Sequence, residues 1–238
     1  MTRARSVRAF GSFALFLFLA PSPPSASAAV PLDRVVAVLE AAELGGIERP
    51  FFLMAVEWSL TLEVLRGRSK EGDSRRRLDA ELGLRLLKAR ADRMELEYAR
   101  SDGDEARHMR EARAALEVRV RSGLVARAGG AADVERLRVA HPTFERSFQA
   151  MVSRRASAAI AAETLGIITL KVDESTAREF FRAGGHPFEA ARFDDAREAF
   201  ADWLLVDQLE RCGQRHMDQL RRLVRVTYGS VGLTPTSF

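Results

Sequence analysis

Phe193 to Tyr228 reads FDDAREAFADWLLVDQLERCGQRHMDQLRRLVRVTY, and this stretch decides the fold. Leu205, Leu209, Cys212, His216, Leu220 and Leu223 recur every three or four residues, so one apolar stripe runs down a single helix face. A helix from about Asp194 to Leu223, at ~1.5 Å rise per residue, is roughly 45 Å long, the width of a domain. The period then changes. Val224-Arg225-Val226-Thr227-Tyr228 alternates and is rich in β-branched residues, so it reads as a strand. Near the other end, Arg34 to Leu39 is also short and β-branched, and follows Pro31. The expected fold is mainly α (α+β): a multi-helix domain with a small β-ribbon in which the N-terminal and C-terminal strands pair.

The chain between these strands reads as helices. Pro50 suits a first helical position, and Phe51 to Leu65 is too long for an ordinary strand, so it is expected to be helical. Its second half, Leu60 to Val64, alternates and leaves a strand reading open there. Arg66 to Arg77 is charged and contains glycine, which predicts a loop, with Arg75-Arg76-Arg77 in solvent. Leu78, Leu82, Leu86, Leu87, Ala91, Met94 and Tyr98 mark an amphipathic helix. Ser101-Asp102-Gly103 stops it, and Asp104 can cap the next, whose stripe is Met109, Ala112, Leu116 and Val120. A break at Ala128-Gly129-Gly130 precedes a short helix over 131–139. Phe144, Phe148, Val152, Ala156, Ala159 and Ile160 define the inner face of another. Gly166 to Leu170 is an extended connector. Asp173 or Ser175 starts a helix carrying Ala177, Phe180 and Phe181, and Gly184-Gly185-His186-Pro187 forces a loop.

The chain opens with a different signal. Arg3, Arg5 and Arg8 precede the apolar run Phe10 to Ala20, then a Pro/Ser-rich stretch and Ala26-Ser27-Ala28, the order expected of a secretory signal peptide cleaved near Ala28. The domain division is therefore a leader over 1–28 and one domain over 29–238, exported to the periplasm or, alternatively, secreted. The 238 residues carry 37 basic and 33 acidic side chains. Removing the three leader arginines leaves 34 against 33, which argues against nucleic-acid partners. Cys212 is the single cysteine, so no internal disulfide forms and stability must come from packing. No later apolar run approaches membrane-spanning length.

Few residues point to chemistry. Cys212 and His216 are four apart on one helix face, half of a metal site, but no second Cys/His pair accompanies them and both fall in the apolar stripe. His108-Met109 and His216-Met217 lack the thioether-rich surroundings of a copper site. No G-x-S-x-G, P-loop or G-x-G-x-x-G occurs. No catalytic residue, metal or cofactor is expected. Asp194, Asp195 and Glu97 read as solvated acids or partners of nearby arginines. Phe51, Phe52, Met54 and Trp58 are candidates for an adaptable apolar patch that holds unfolded chains. The same four residues also suit an ordinary core.

Three segments carry a family likeness: Asp33 to Val38 directly after the leader, Val172 to Phe181, and Phe193 through Val226. In this order they resemble the N-terminal domain of SurA-type periplasmic chaperones (the SurA/PpiC-like folding factors), whose last helix and strand fold back onto the start. The family's usual second strand is not evident, Glu43 to Pro50 standing in its place. Its parvulin isomerase modules would lie between the second and third segments, where only Arg182 to Arg192 are found. The resemblance implies an ATP-independent chaperone, without an isomerase domain, that binds unfolded or nascent outer-membrane or secreted proteins. The alternatives are a peptidyl-prolyl isomerase-family protein with an accessory isomerase role, and an envelope subunit with one fixed partner.

Overall fold

The computed structural model describes residues 35–40, 51–65, 74–101 and 103–228. The proposed leader lies outside them. The chain is mainly helical, as its periodicity implies, with β1 (Val35–Glu40), β2 (Phe51–Met54), α1 (Ala55–Val64), α2 (Ser74–Ser101), α3 (Gly103–Arg127), α4 (Ala131–Ala140), α5 (Phe144–Thr164), α6 (Glu174–Ala183), α7 (Phe193–Leu220) and β3 (Arg225–Tyr228).

The three strands form an antiparallel sheet in the order β2-β1-β3. Ala37 and Leu39 point to its buried face. Across β1 they meet Leu53 and Phe51 on β2, and Tyr228 and Val226 on β3. Beneath that face lie Trp58, Leu78, Leu82, Leu86 and Met217, so the sheet closes over one end of α2 and α7.

Three expectations are corrected here. Phe51 to Leu65 is not one helix: Phe51–Met54 is a strand and only Ala55–Val64 is helical. Pairing with β1 decides the first four residues, because β structure depends on cross-strand neighbours more than on intrinsic preference. The expected loop over 66–77 also ends early. Ser74 already begins α2, and the three arginines lie in its first turns. The long C-terminal helix stops at Leu220, not Leu223. A tight turn follows, with the Leu223 and Val224 amides both donating to the Leu220 carbonyl.

Helices α2, α3, α5 and α7 make the main core, in which Phe148, Met151, Leu124, Leu87 and Leu209 are fully buried. Glycine sets how closely α7 approaches its neighbours. A Cβ on Gly83 of α2 would stand 2.0 Å from the Gly213 carbonyl oxygen of α7, and one on Gly213 would stand 2.3 Å from the Ala80 carbonyl oxygen. At the α3–α7 crossing, a Cβ on Gly123 would meet the Asp202 carbonyl oxygen at 2.1 Å. These are backbone-to-backbone contacts that no side chain tolerates.

Helix α6 is held differently. Asp173 caps it, accepting from the Thr176 amide at 2.9 Å. Its inner face joins a third cluster built from Ala177, Phe200, Trp203 and Leu204. The α6–α7 loop is pinned by His186, which is buried. Its Nε2–H donates to the Phe181 carbonyl (2.8 Å) and its Nδ1 accepts from the Phe188 amide (3.1 Å). Phe181 and Phe200 lie against the ring, with centroids 4.4 and 5.0 Å away. The short stretch from Arg182 to Arg192 is thus an ordered aromatic knot.

Candidate functional site

Trp58, named above as a client-facing candidate, is 4 % exposed and belongs to the core beneath the sheet. Phe51, Phe52 and Met54 lie on β2, but their side chains are outside the described residues. Cys212 is buried, and burial raises its thiol pKa against a smaller opposing effect of Arg215. His216 is half-buried, and desolvation lowers its pKa. Among the described residues no three metal-ligating side chains converge. Glu97 pairs with Arg93 (2.8 Å) and Asp194 with Arg178 (2.7 Å). Among the described residues no helix is long and apolar enough to cross a membrane. Among the described residues the large apolar side chains that reach solvent, Leu96, Val118, Val139, Leu165, Phe180 and Leu223, come from separate segments.

Two cavities open on the flank of α7, and Arg211 lines both. The larger, about 510 Å³, runs along the connector between α5 and α6. Its wall combines Ile167, Ile168 and Val172 with Lys171, Arg211 and Arg215. Gly166, at φ 66°, turns the chain out of α5 into this connector. The Ile167 and Ile168 amides still reach back to the Ala162 carbonyl. An extended, partly apolar segment is therefore fixed beside a basic helix face.

The second cavity, about 440 Å³, lies on the other side of Arg211, between the start of α2, the end of α3 and the α6–α7 loop. Arg127 crosses it, donating to Asp207 (3.0 Å) and Glu210 (2.8 Å) while lying over the Trp203 ring at 5.5 Å. Arg211 meets the other oxygen of Asp207 at 2.6 Å. Arg77, its side chain only 7 % exposed, has one ion pair: Nε stands 3.8 Å from Glu210 and makes no hydrogen bond. The triple arginine expected in a solvated turn thus contributes a buried guanidinium to a cavity wall.

A further charged cluster runs into the bundle, with Glu81, Arg154 and Arg155 buried and Glu57 and Arg85 partly exposed. Glu81 of α2 receives Arg154 (2.6 Å) and Arg155 (2.9 Å) from α5. Glu57 of α1 receives Arg154 (2.7 Å) and Arg85 (2.6 Å). Burial pushes the Glu81 carboxyl up, but Arg154, Arg155 and Arg85 together outweigh it and hold it at about 2. For Arg154, burial favours the neutral form, and Glu81 and Glu57 more than compensate. The cluster ties α1, α2 and α5 together.

Sequence reading missed both charged groups. The available signal was local contradiction. Glu81 sits among Leu78, Leu82, Leu84 and Leu86, and Arg154-Arg155 precede a run rich in buried alanine. A charge embedded in such a stripe requires a partner.

No family model, curated protein or solved structure matches the chain.

Proposed function

We propose that this chain is an ATP-independent chaperone of the bacterial envelope that binds unfolded outer-membrane or secreted proteins. The observation that carries the reading is the cavity along the α5–α6 connector, whose lining combines apolar Ile167, Ile168 and Val172 with cationic Lys171, Arg211 and Arg215. An unfolded envelope strand offers apolar and polar side chains in alternation. A surface of mixed character accepts such chains by shallow contacts and without one fixed sequence. Supporting it are the order of elements, strand first and helix-strand last, and the likeness of that order to SurA-type chaperone domains. The leader-like first 28 residues fit an envelope location. The compact His186 loop fits a chaperone core without an inserted isomerase module. On this reading the β1–β3 ribbon is the clasp of the domain, and Trp58 serves its core rather than its clients.

Light scattering tests the proposal. The protein is added at stoichiometric ratio to a denatured porin on dilution, and suppression of aggregation is expected without nucleotide. Ile168→Asp, which places a charge in the half-buried connector, is expected to weaken suppression several-fold. Unhindered aggregation in the presence of the unmutated protein removes the reading. A proline-peptide isomerisation assay is expected to show no acceleration.

A further inference from the structure

We infer that the cavity between the start of α2, the end of α3 and the α6–α7 loop binds a carboxylate carried on an apolar or aromatic group, with Arg77 as the anion-binding residue. The inference is independent of the chaperone reading and concerns the other side of Arg211.

The argument begins with charge. Three arginines (77, 127 and 211) and two carboxylates (Asp207 and Glu210) line the cavity, which leaves one positive charge in excess. The pairing shows where it resides. Arg127 is matched by both acids, at 3.0 and 2.8 Å. Arg211 is matched by Asp207 at 2.6 Å and is largely exposed, so water serves its remaining donors. Among the described residues Arg77 is paired with Glu210 alone, its Nε 3.8 Å away and without a hydrogen bond, although its side chain is more than nine-tenths buried. A guanidinium cannot shed its proton to relieve this. A buried guanidinium in the wall of a roomy cavity, its Nε–H accepted by nothing, forms an anion site.

The remaining wall selects the anion. Asp207 and Glu210 stay in the cavity, so a dianion such as phosphate meets two like charges, whereas a monoanion balances the single excess charge. A planar carboxylate can accept two parallel hydrogen bonds from a guanidinium. Trp203 and Leu204 on the floor and Phe180 on the rim, 38 % exposed, supply apolar contact to whatever bears it. A volume of about 440 Å³ lies within the usual ~300–1,000 Å³ range of small-molecule sites. Two sources share this chemistry: the C-terminus of a peptide that ends in an apolar residue, and a free amino-acid-sized acid.

Fluorescence polarisation on the full chain tests the site. The probe is an N-terminally labelled pentapeptide ending in phenylalanine with a free carboxylate, compared with the same peptide as its C-terminal amide. The acid is expected to bind at least tenfold more tightly. Arg77→Gln is expected to abolish that preference, with circular dichroism checking the fold. Phe180→Ser, on the exposed rim, is expected to weaken the acid several-fold while keeping its preference over the amide, and does not depend on how Arg77 tolerates replacement. Displacement by N-acetylphenylalanine assigns the site to small acids as well as chain ends. Failure to displace assigns it to chain ends alone, and both support a carboxylate site. Equal binding of acid and amide, an undiminished preference in Arg77→Gln, or stronger displacement by inorganic phosphate than by N-acetylphenylalanine overturns it.

Discussion

At the scale of single residues, the chain places charge where its neighbours are apolar, and Glu81 is the sharpest case. Its carboxylate is the meeting point of two buried arginines. An ion pair in such a place adds little over a well-packed apolar group, but losing one partner strands the other. Glu81→Gln leaves Arg154 and Arg155 without their counter-charge and is expected to cost about 3–5 kcal/mol at neutral pH. The pH dependence follows from the folded carboxyl at about 2 against 4.5 unfolded. A depressed acid stabilises fully above its unfolded value, and that contribution fades as pH falls from about 4.5 toward 2. The gap corresponds to on the order of 3 kcal/mol. The deficit of Glu81→Gln in urea unfolding should therefore be constant above pH 5 and shrink by pH 3. An equal deficit at pH 3 and pH 7 contradicts the assignment of the depressed value to Glu81. His186 makes a related point without charge. Both ring nitrogens are used, one as donor and one as acceptor, so His186→Phe keeps the aromatic stack but loses the two loop hydrogen bonds. At about 1 kcal/mol for each bond, thermal denaturation should show a decrease of several degrees.

At the scale of elements, the crossings of α7 depend on the absence of side chains. Alanine normally favours a helix over glycine by about 1 kcal/mol. At Gly83 that gain is opposed by a Cβ 2.0 Å from a backbone oxygen, and backbone cannot rotate away as a flexible side chain would. Gly83→Ala is expected to destabilise by about 1–3 kcal/mol net, since α2 and α7 must separate along the crossing. Gly103→Ala, where a Cβ would meet nothing within 4 Å, should be neutral or slightly stabilising. Equal midpoints for the two variants in denaturant unfolding would show that the close approach is not limiting. The long helices α2, α3, α5 and α7 were legible in the sequence because each has an apolar stripe, as with Phe144, Phe148 and Val152 in α5. The start of α6 was legible as Asp173 or Ser175, and it is Asp173 that caps the helix. The crossings were not legible, because Gly83, Gly123 and Gly213 look like weak points in a helix until the neighbour that needs them is known. Phe51 to Met54 was misread for the same reason: its strand identity comes from β1 across the sheet. The candidate cavity was illegible because Arg77 and Asp207 are far apart in sequence and nothing local distinguishes Arg77 from its two neighbouring arginines.

At the scale of the molecule, the first described strand and the last are neighbours, so the ends of the domain close on each other. The register brings Leu39 opposite Val226 and Ala37 opposite Tyr228. Leu39 and Ala37 are fully buried, and Val226 packs on the same cluster as Trp58, Leu82 and Met217. Removing β3 would turn the central strand into an edge, exposing a row of unpaired backbone groups and part of the core below. Two truncations separate this effect from mere shortening. A chain ending at Tyr228 retains β3 and is the reference. A chain ending at Val224 keeps all of α7 but loses the strand. It is expected to melt several degrees lower, to lose amide protection along Val35–Glu40 and to self-associate through the new edge. Helical content should hardly change, because the main core of α2, α3, α5 and α7 does not touch β3 through the residues that fill it. If the two truncated chains share one melting temperature and one exchange pattern, the β1–β3 pairing contributes nothing to stability.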